Sequence, residues 1–317
     1  MSDPGVPKEL IEPLTRCAEG RAPPNVALMQ LFLAAGEEDV RHALKQAIAI
    51  AEERREAAQA ARLVAIQRLW DAAPNAYSTI SAIRDLMKGG GQIDPETVIP
   101  QFAAFFDRAA EISPEASVAL YSLGDALLLD ETTQEILNVM REWKLFGPES
   151  RVLDSGCGTG RVLETMAPMV AAITGVDISE TMLAVARAKI ARFHNASAVR
   201  GSGRDLSAVL PGPFDLVLAI DSFPYLVEAR VAESHVRDCA RLLRPQGHLL
   251  IMNYSYRCND SADRADIARL AGQFGFSILR NGTRDLHLWD GIAFLLQKRI
   301  RSQTPEVAPR SERENGV

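Results

Sequence analysis

The chain has 317 residues, 47% of them hydrophobic, and a formal net charge of −6. It is longer than one ordinary domain and apolar enough to build a core, so one large domain plus an extension is expected. The acidic balance offers no general attraction for nucleic acid, four scattered cysteines (Cys17, Cys157, Cys239, Cys258) lack metal-ligand or disulfide spacing, and no stretch is apolar for long enough to cross a bilayer. Unpaired cysteines suit a reducing compartment. Met1-Ser2-Asp3-Pro4-Gly5 carries no basic-then-apolar leader, so a cytoplasmic protein is expected.

The first residues, to about Pro24, are rich in Pro and Gly and hold a short turn around Leu10 to Cys17. Asn25 can cap a helix carrying Val26, Leu28, Met29, Leu31, Phe32 and Leu33, which stops at Gly36. Glu37 through Trp70 reads as one long helix with Val40, Ala43, Leu44, Ala47, Ile48 and Ala51 on one face, and Glu52 to Arg62 as its solvated surface. Pro74 ends it. Ala76 to Lys88 adds a short helix before Gly89-Gly90-Gly91. Residues 1–92 thus form an all-helical extension in which His42 reads as a surface or satisfied residue rather than a ligand. It could serve as a substrate lid, as the contact face of a homodimer, or as packing, and helical stripes do not separate these.

A second unit is expected over residues 93–300, with a helical lead-in at 93–147 and a core at 150–300. Asp94-Pro95-Glu96 has the form of a helix start, and Val98, Ile99, Phe102, Phe105 and Phe106 follow on one side. Ser113-Pro114-Glu115 repeats that signal. After Tyr121 a further helix runs from about Asp130 to Trp143, closed by Gly147-Pro148.

The core opens with Arg151-Val152-Leu153-Asp154, a buried parallel strand ending in a carboxylate. Ser155-Gly156-Cys157-Gly158-Thr159-Gly160 follows, and helical periodicity resumes at Arg161. Strand, glycine turn and helix start place a ligand at the carboxyl edge of a doubly wound sheet, where side-chain-free backbone lets the loop close on it. A dinucleotide fingerprint starting at Gly156 needs its third glycine at position 161; Arg161 stands there and Gly160 comes one residue early, which argues against a nicotinamide oxidoreductase. The run Val-Leu-Asp-x-Gly-Cys-Gly-Thr-Gly closely resembles the first motif of the class I S-adenosylmethionine-dependent methyltransferases. That resemblance implies an α/β fold: a Rossmann-like, seven-stranded, mostly parallel sheet with an antiparallel last strand, after an all-α N-terminal region. It also implies S-adenosylmethionine as cofactor, held around Asp154, Ser155, Gly156, Cys157, Gly158 and Gly160. In the family the helices before the first strand fold over the cofactor, which makes Tyr121 a candidate contact for its methionine end or for the substrate.

A second strand, Ala171 to Asp177, ends in an acid about 20 residues past Gly156, the place of a carboxylate that accepts both ribose hydroxyls. Ser179 is the better cap for the next helix. By the resemblance Ile178 lies near the adenine face, and Asp205 and Leu206, after a short strand around Ala198 to Arg200, match the positions that meet the adenine amino group and ring. The fourth strand, Phe214 to Ile220, runs into Asp221-Ser222-Phe223-Pro224-Tyr225, reminiscent of the Asp/Asn-Pro-Pro-Tyr motif of amino-group methyltransferases but interrupted. Asp221 and Tyr225 are candidate active-site residues without a defined role. Arg244-Pro245-Gln246-Gly247 resembles the family's turn before the fifth strand, with Gly247 left-handed. His248 to Tyr254 is that strand, and Tyr254 and Tyr256 at its end are pocket candidates. Strands at Phe276 to Arg280 and about Leu286 to Lys298, joined through Asn281-Gly282, would close the sheet. His287 in that pair is a candidate base, though such a residue is more often structural. The tail, 301–317, is expected to be disordered.

The resemblance thus implies transfer of a methyl group to an N or O atom of a small-molecule amine, hydroxyl or carboxylate by in-line displacement. The histidines and cysteines do not cluster, so no metal is invoked. A protein substrate, and a module that binds the cofactor without chemistry, stay open as alternatives.

Overall fold

The apolar stripes of the N-terminal third bury one another. The computed structural model, which describes residues 7–88, 97–206 and 212–300, forms α1 (Lys8–Ala18), α2 (Pro24–Ala34), α3 (Glu37–Glu53), α4 (Ala57–Ala72) and α5 (Ala76–Lys88). Their shared core includes Leu14, Leu28, Phe32, Leu44, Ile66 and Trp70. The expected long helix is two. Arg55 turns the chain at φ 57°, and Ala47 and Ala51 on α3 then share a core with Ala60 and Leu63 on α4. No glycine or proline announces this break; burial of two facing stripes drives it. Asn25 is not a cap either, because Pro23 takes that position with Pro24 in the first turn.

The lead-in comprises α6 (Val98–Ile112), α7 (Pro114–Val118) and α8 (Ala126–Glu142). Ser113 caps α7 as read, its Oγ accepting the Ala116 N–H at 3.1 Å. Asp125 does the same for α8, which starts earlier than the sequence suggested. The Gly89-Gly90-Gly91 and Asp94-Pro95-Glu96 signals, like the tail at 301–317, lie outside the described residues.

Beyond them, β1 (Arg151–Ser155), β2 (Ala172–Asp177), β3 (Ala196–Arg200), β4 (Phe214–Ile220), β5 (Leu243–Met252), β6 (Phe276–Thr283) and β7 (Ala293–Lys298) form one seven-stranded sheet. The order is β3-β2-β1-β4-β5-β7-β6, parallel except for β7, which pairs antiparallel with both its neighbours. This is the Rossmann-like arrangement expected, with its switch point between β1 and β4. Side chains alternate by strand geometry. Val152, Leu218 and Leu250 enter the core under α8, α9 (Arg161–Met166) and α10 (Glu180–Ile190). Leu153, Val217 and Leu249 enter the one under α11 (Phe223–Glu228), α12 (Ala232–Leu242) and α13 (Asp260–Phe274). No helix among the described residues is long and apolar enough to cross a membrane.

Three local readings change. In the turn before β5 it is Gln246 that is left-handed, at φ 66°. Gly247 is needed for close packing instead, since a Cβ there would lie 3.0 Å from the Arg244 carbonyl oxygen and 3.1 Å from that of Asp215. Next, β5 stops at Met252, because Asn253 turns left-handed at φ 62°. Last, Asn281-Gly282 lies inside β6, at shifts in its register with β7, and the connection is the loop 284–292. His287 is therefore a loop residue.

Gly160 shows how tightly α9 and α10 meet. Its φ is 77°, and an added Cβ would stand 2.8 Å from the Ala186 Cβ and 3.0 Å from its Cα. Gly160→Ala should lower the unfolding free energy by on the order of 1–3 kcal/mol. Urea unfolding measures this, and an unchanged midpoint would contradict the packing account.

Candidate active site at the carboxyl edge of the sheet

The loop after β1 passes through left-handed backbone at Gly156 (φ 79°) and Gly158 (φ 51°). Glycine is required there first because the protein itself crowds the loop. A Cβ on Gly156 would lie 2.3 Å from Ser222 Cβ, and one on Gly158 2.5 Å from Val118 Cγ1. Ser222 is held over the loop by donating to the Ser155 carbonyl at 2.6 Å. The loop is tied to β2 as well: Gly158 N–H donates to Asp177 Oδ2 at 2.8 Å, and Ser179 N–H to Oδ1 at 2.9 Å. Each carboxylate oxygen has two acceptor sites, so Asp177 keeps one on each for a ligand.

A cavity of about 1450 Å³ opens over this edge. It exceeds the roughly 300–1,000 Å³ of common single-ligand pockets and so has room for two ligands side by side. Asp154, Ser155, Gly156, Cys157 and Gly158 line it from β1 and its loop. Asp177 and Ile178 do so from β2, Asp205 and Leu206 from the segment after β3, and Asp221 and Tyr225 from the end of β4. Tyr121 and the N-terminal helices wall the other side, with Phe102 and Phe106 of α6. Because the sheet order is β3-β2-β1-β4, the acids stand along the edge in the order Asp205, Asp177, Asp154, Asp221.

Their charges are poorly compensated. Asp154 is 2% exposed, and burial, partly offset by Arg161 and reinforced by Asp177, pushes its carboxyl up to about 7. Burial also raises Asp177, against the backbone N–H groups that hold it. Asp205 Oδ1 is buried with no hydrogen-bond partner among the described residues. Asp221 opens onto the cavity, and burial raises it to about 6 against hydrogen bonds from Asn253 and Tyr256. Both bonds go to the same oxygen: Asn253 Nδ2 donates to Oδ1 at 2.9 Å and Tyr256 Oη at 2.8 Å. Oδ2 has no partner among the described residues.

Asn253 is fixed in its turn. Its Oδ1 accepts the Ile292 N–H at 3.0 Å and its own N–H donates to the Ile292 carbonyl at 2.8 Å, so its side-chain amide ties the acid to the residue just before β7. Asp221 (φ 58°) and Asn253 (φ 62°) both leave their strands left-handed, a conformation Asn and Asp adopt more readily than other side chains. Tyr225 stands beside them at the centre of an aromatic cluster, its ring edge-on to Phe102 (5.2 Å), Phe106 (4.9 Å) and Tyr256 (5.8 Å).

Tyr254 does not belong to the site. The left-handed turn at Asn253 sends it into the core, 3% exposed, against Phe223 and Phe294, while Tyr256 reaches the cavity. Gly160 does not line the cavity and serves helix packing. His287 lines the cavity but is exposed, and what it anchors is backbone: its N–H donates to Glu135 Oε1 at 2.6 Å. Nothing places its ring against the acids. Tyr121 is buried, stacked on Trp289 at 5.1 Å, and its hydroxyl accepts from Arg161 at 3.0 Å. Sequence reasoning missed Arg161, which it used only to reject a glycine pattern, and Asn253, whose only signal is an amide side chain directly after a strand. Among the described residues no His, Cys, Asp and Glu gather as a metal cluster would.

Asn253→Ala removes one of the two donors that favour ionised Asp221. The Asp221 carboxyl should then titrate above about 6, seen as an upward shift of its ¹³C NMR titration; an unmoved midpoint would mean that Asn253 does not hold the acid.

Residues 152–247 match the family described as a methyltransferase domain. The chain is 31% identical over 138 residues to the ubiquinone biosynthesis O-methyltransferase of Thiobacillus denitrificans, covering 43% of this chain and 56% of that protein. With the protein of the same name from Aromatoleum aromaticum it shares 32% over 141 residues, 43% of this chain and 55% of the relative. The chain thus spans little more than half the length of these relatives. Among solved structures, the phosphoethanolamine N-methyltransferase 1 of Haemonchus contortus, in complex with phosphoethanolamine and S-adenosylhomocysteine, aligns with a TM-score of 0.53 at 16% identity, over 69% of this chain and 52% of that one, a likeness of fold. The matched stretch runs from β1 into β5, so it takes in the glycine loop and all four acids of the sheet edge, while the helical extension lies outside it.

Proposed function

We propose that the protein methylates a hydroxyl oxygen of a small molecule, with S-adenosylmethionine as donor. The observation that carries this is the carboxylate of Asp221, one oxygen pinned by Asn253 and Tyr256 and the other open to a cavity with room for an acceptor beside the cofactor. The O-methyltransferase relatives favour the same acceptor atom.

The residues along the edge suit the cofactor piece by piece. Asp205, with its unpartnered buried oxygen, would take the adenine amino group between Ile178 and Leu206. Asp177 would take the ribose hydroxyls, and Asp154 the ammonium. Bound S-adenosylmethionine supplies a methyl group already activated by its sulfonium. What the protein adds is alignment, on the order of 7–11 kcal/mol when geometry is right, and a base. Asp221 Oδ2 would accept the hydroxyl proton as the oxygen attacks, an effect of roughly 10²–10⁴-fold. Tyr225, Phe102 and Phe106 would hold the acceptor and keep water out.

Methyl transfer from radiolabelled S-adenosylmethionine to a library of hydroxyl and amine compounds tests the reading; label appearing only on amines, or binding without turnover, would overturn it. Asp177→Ala should weaken S-adenosylhomocysteine binding by on the order of 100-fold in calorimetry, as two hydrogen bonds to a charged group are lost. Asp221→Asn should cut kcat by roughly 10²–10⁴-fold with cofactor affinity nearly unchanged. The acids also set the pH dependence. Asp154 must ionise to hold an ammonium and is protonated in the free protein below about 7, so cofactor affinity should fall as pH drops through that value. Turnover with bound cofactor should fall at lower pH, as Asp221 is protonated near 6. Affinity flat between pH 8 and 5.5 would refute the role of Asp154.

A further inference from the structure

The cavity has two unlike sides. At the sheet edge it meets four aspartates, whereas the lining side chains that α2, α5 and α6 contribute include no charged group. Their one polar member is Gln30. Of the arginines elsewhere on the wall, Arg16 pairs with Asp290 at 2.8 Å, Arg21 with Glu19 at 2.5 Å and Arg284 with Asp260 at 3.1 Å. Acids of the chain answer these cations, so they call for no anionic ligand.

The uncharged side is apolar surface that the fold leaves open. On α2, Ala27, Leu28, Leu31 and Phe32 are buried in the helical core. Val26, Met29, Gln30 and Leu33 fall at the i, i+3, i+4, i+7 spacing of a second stripe, and that stripe faces the cavity. Ile99, Phe102, Phe106 and Ala109 form a similar stripe on α6. Met29, Leu33, Phe102, Phe105 and Phe106 are only half-buried, and Met87 of α5 is 55% exposed. A ligand filling the space before them removes that surface from water.

Aromatic rings join this side to the acid. Tyr256, bonded to Asp221, lies edge-on to Tyr225, Tyr225 to Phe106 at 4.9 Å, and Phe106 to Phe105 at 5.1 Å. Phe105 in turn packs on the cluster of Ile83 and Ala109 between α5 and α6. We propose that the acceptor is a hydroxyl compound carrying a large, uncharged apolar body, and that this body lies between α2, α5 and α6. The inference rests on the hydroxyl-methylation reading above and narrows it, setting aside sugars, amino acids and nucleotides. Met29 and Met87, unbranched and flexible, suit a body of irregular outline. The three helices lie outside residues 152–247, so the preference belongs to the helical region and not to the matched domain.

Calorimetry with 4-alkylphenols in the presence of S-adenosylhomocysteine tests it. Affinity should rise about 4-fold per buried methylene, on the order of 10–100-fold from 4-methylphenol to 4-butylphenol. 4-Hydroxybenzoate, which puts a charge where the chain would go, should bind more weakly than 4-methylphenol. Equal affinities along the series, no binding of any member, or tighter binding of the benzoate overturns the proposal. Met87→Glu should flatten the rise and Met29→Trp should end it at a shorter chain. Both should keep S-adenosylhomocysteine affinity, which shows an intact fold; variants that keep it and leave the series unchanged contradict the placement. With S-adenosylmethionine, kcat/KM should follow the same order. Phenols bound in that order but never methylated leave the apolar site standing and overturn hydroxyl methylation. Phenols methylated at one kcat/KM whatever their chain do the reverse.

Discussion

Four aspartates crowd one edge of a sheet at which the described residues offer them a single buried cation, and this imbalance organises the site. Parallel strands in the order β3-β2-β1-β4 end side by side about 5 Å apart, and each delivers an acid at or just beyond its end. Burial drives Asp154 and Asp221 well above the ordinary carboxylate range. Ionising a buried carboxyl without a counter-charge is unfavourable, and a ligand carrying positive charge relieves that cost. Hydrogen bonds fix where the acids point. Asp177 is held by the backbone of two neighbouring segments and Asp221 by Asn253 and Tyr256, and each keeps acceptor capacity free.

The helical extension belongs to the same arrangement. Leu14, Leu28, Phe32 and Trp70 belong to a core shared by its five helices. Yet Asn25 and Arg16 reach out of it to the loop 284–292, and Glu135 of α8 accepts two backbone N–H groups from His287 and Leu288 of that loop. Val118 meanwhile occupies the space a side chain on Gly158 would need. Helices, loop and glycine turn therefore enclose the cavity as one wall.

The parts of this that are legible in the sequence are those written within one short segment. An apolar run ending in Asp154, glycines in the loop and an acid at the end of the next strand depend on neighbours a few residues away, and the cavity forms around them. The reading failed where a distant partner decides. Nothing local in Glu37 to Trp70 says that Arg55 will turn left-handed; two apolar stripes find each other across it. Tyr254 looked like a pocket residue because the strand was extended by two positions, and Asn253, turning left-handed, exchanged it for Tyr256. Asn25 has the chemistry of a cap, but adjacent prolines start the helix and leave its amide for Tyr121 and Leu288. Arg161 stands in the sequence only as a missing glycine, since its hydrogen-bond partners Thr133 and Tyr121 lie 28 and 40 residues earlier.

The central claim is that the strand order fixes the order of the ligand's parts along the sheet edge. A crystal structure with S-adenosylhomocysteine tests it directly. The account predicts adenine at Asp205, ribose hydroxyls on Asp177, the amino-acid group at Asp154, and the sulfur facing Asp221 across open space. A ligand lying in the reverse direction, or away from Asp177, would contradict it.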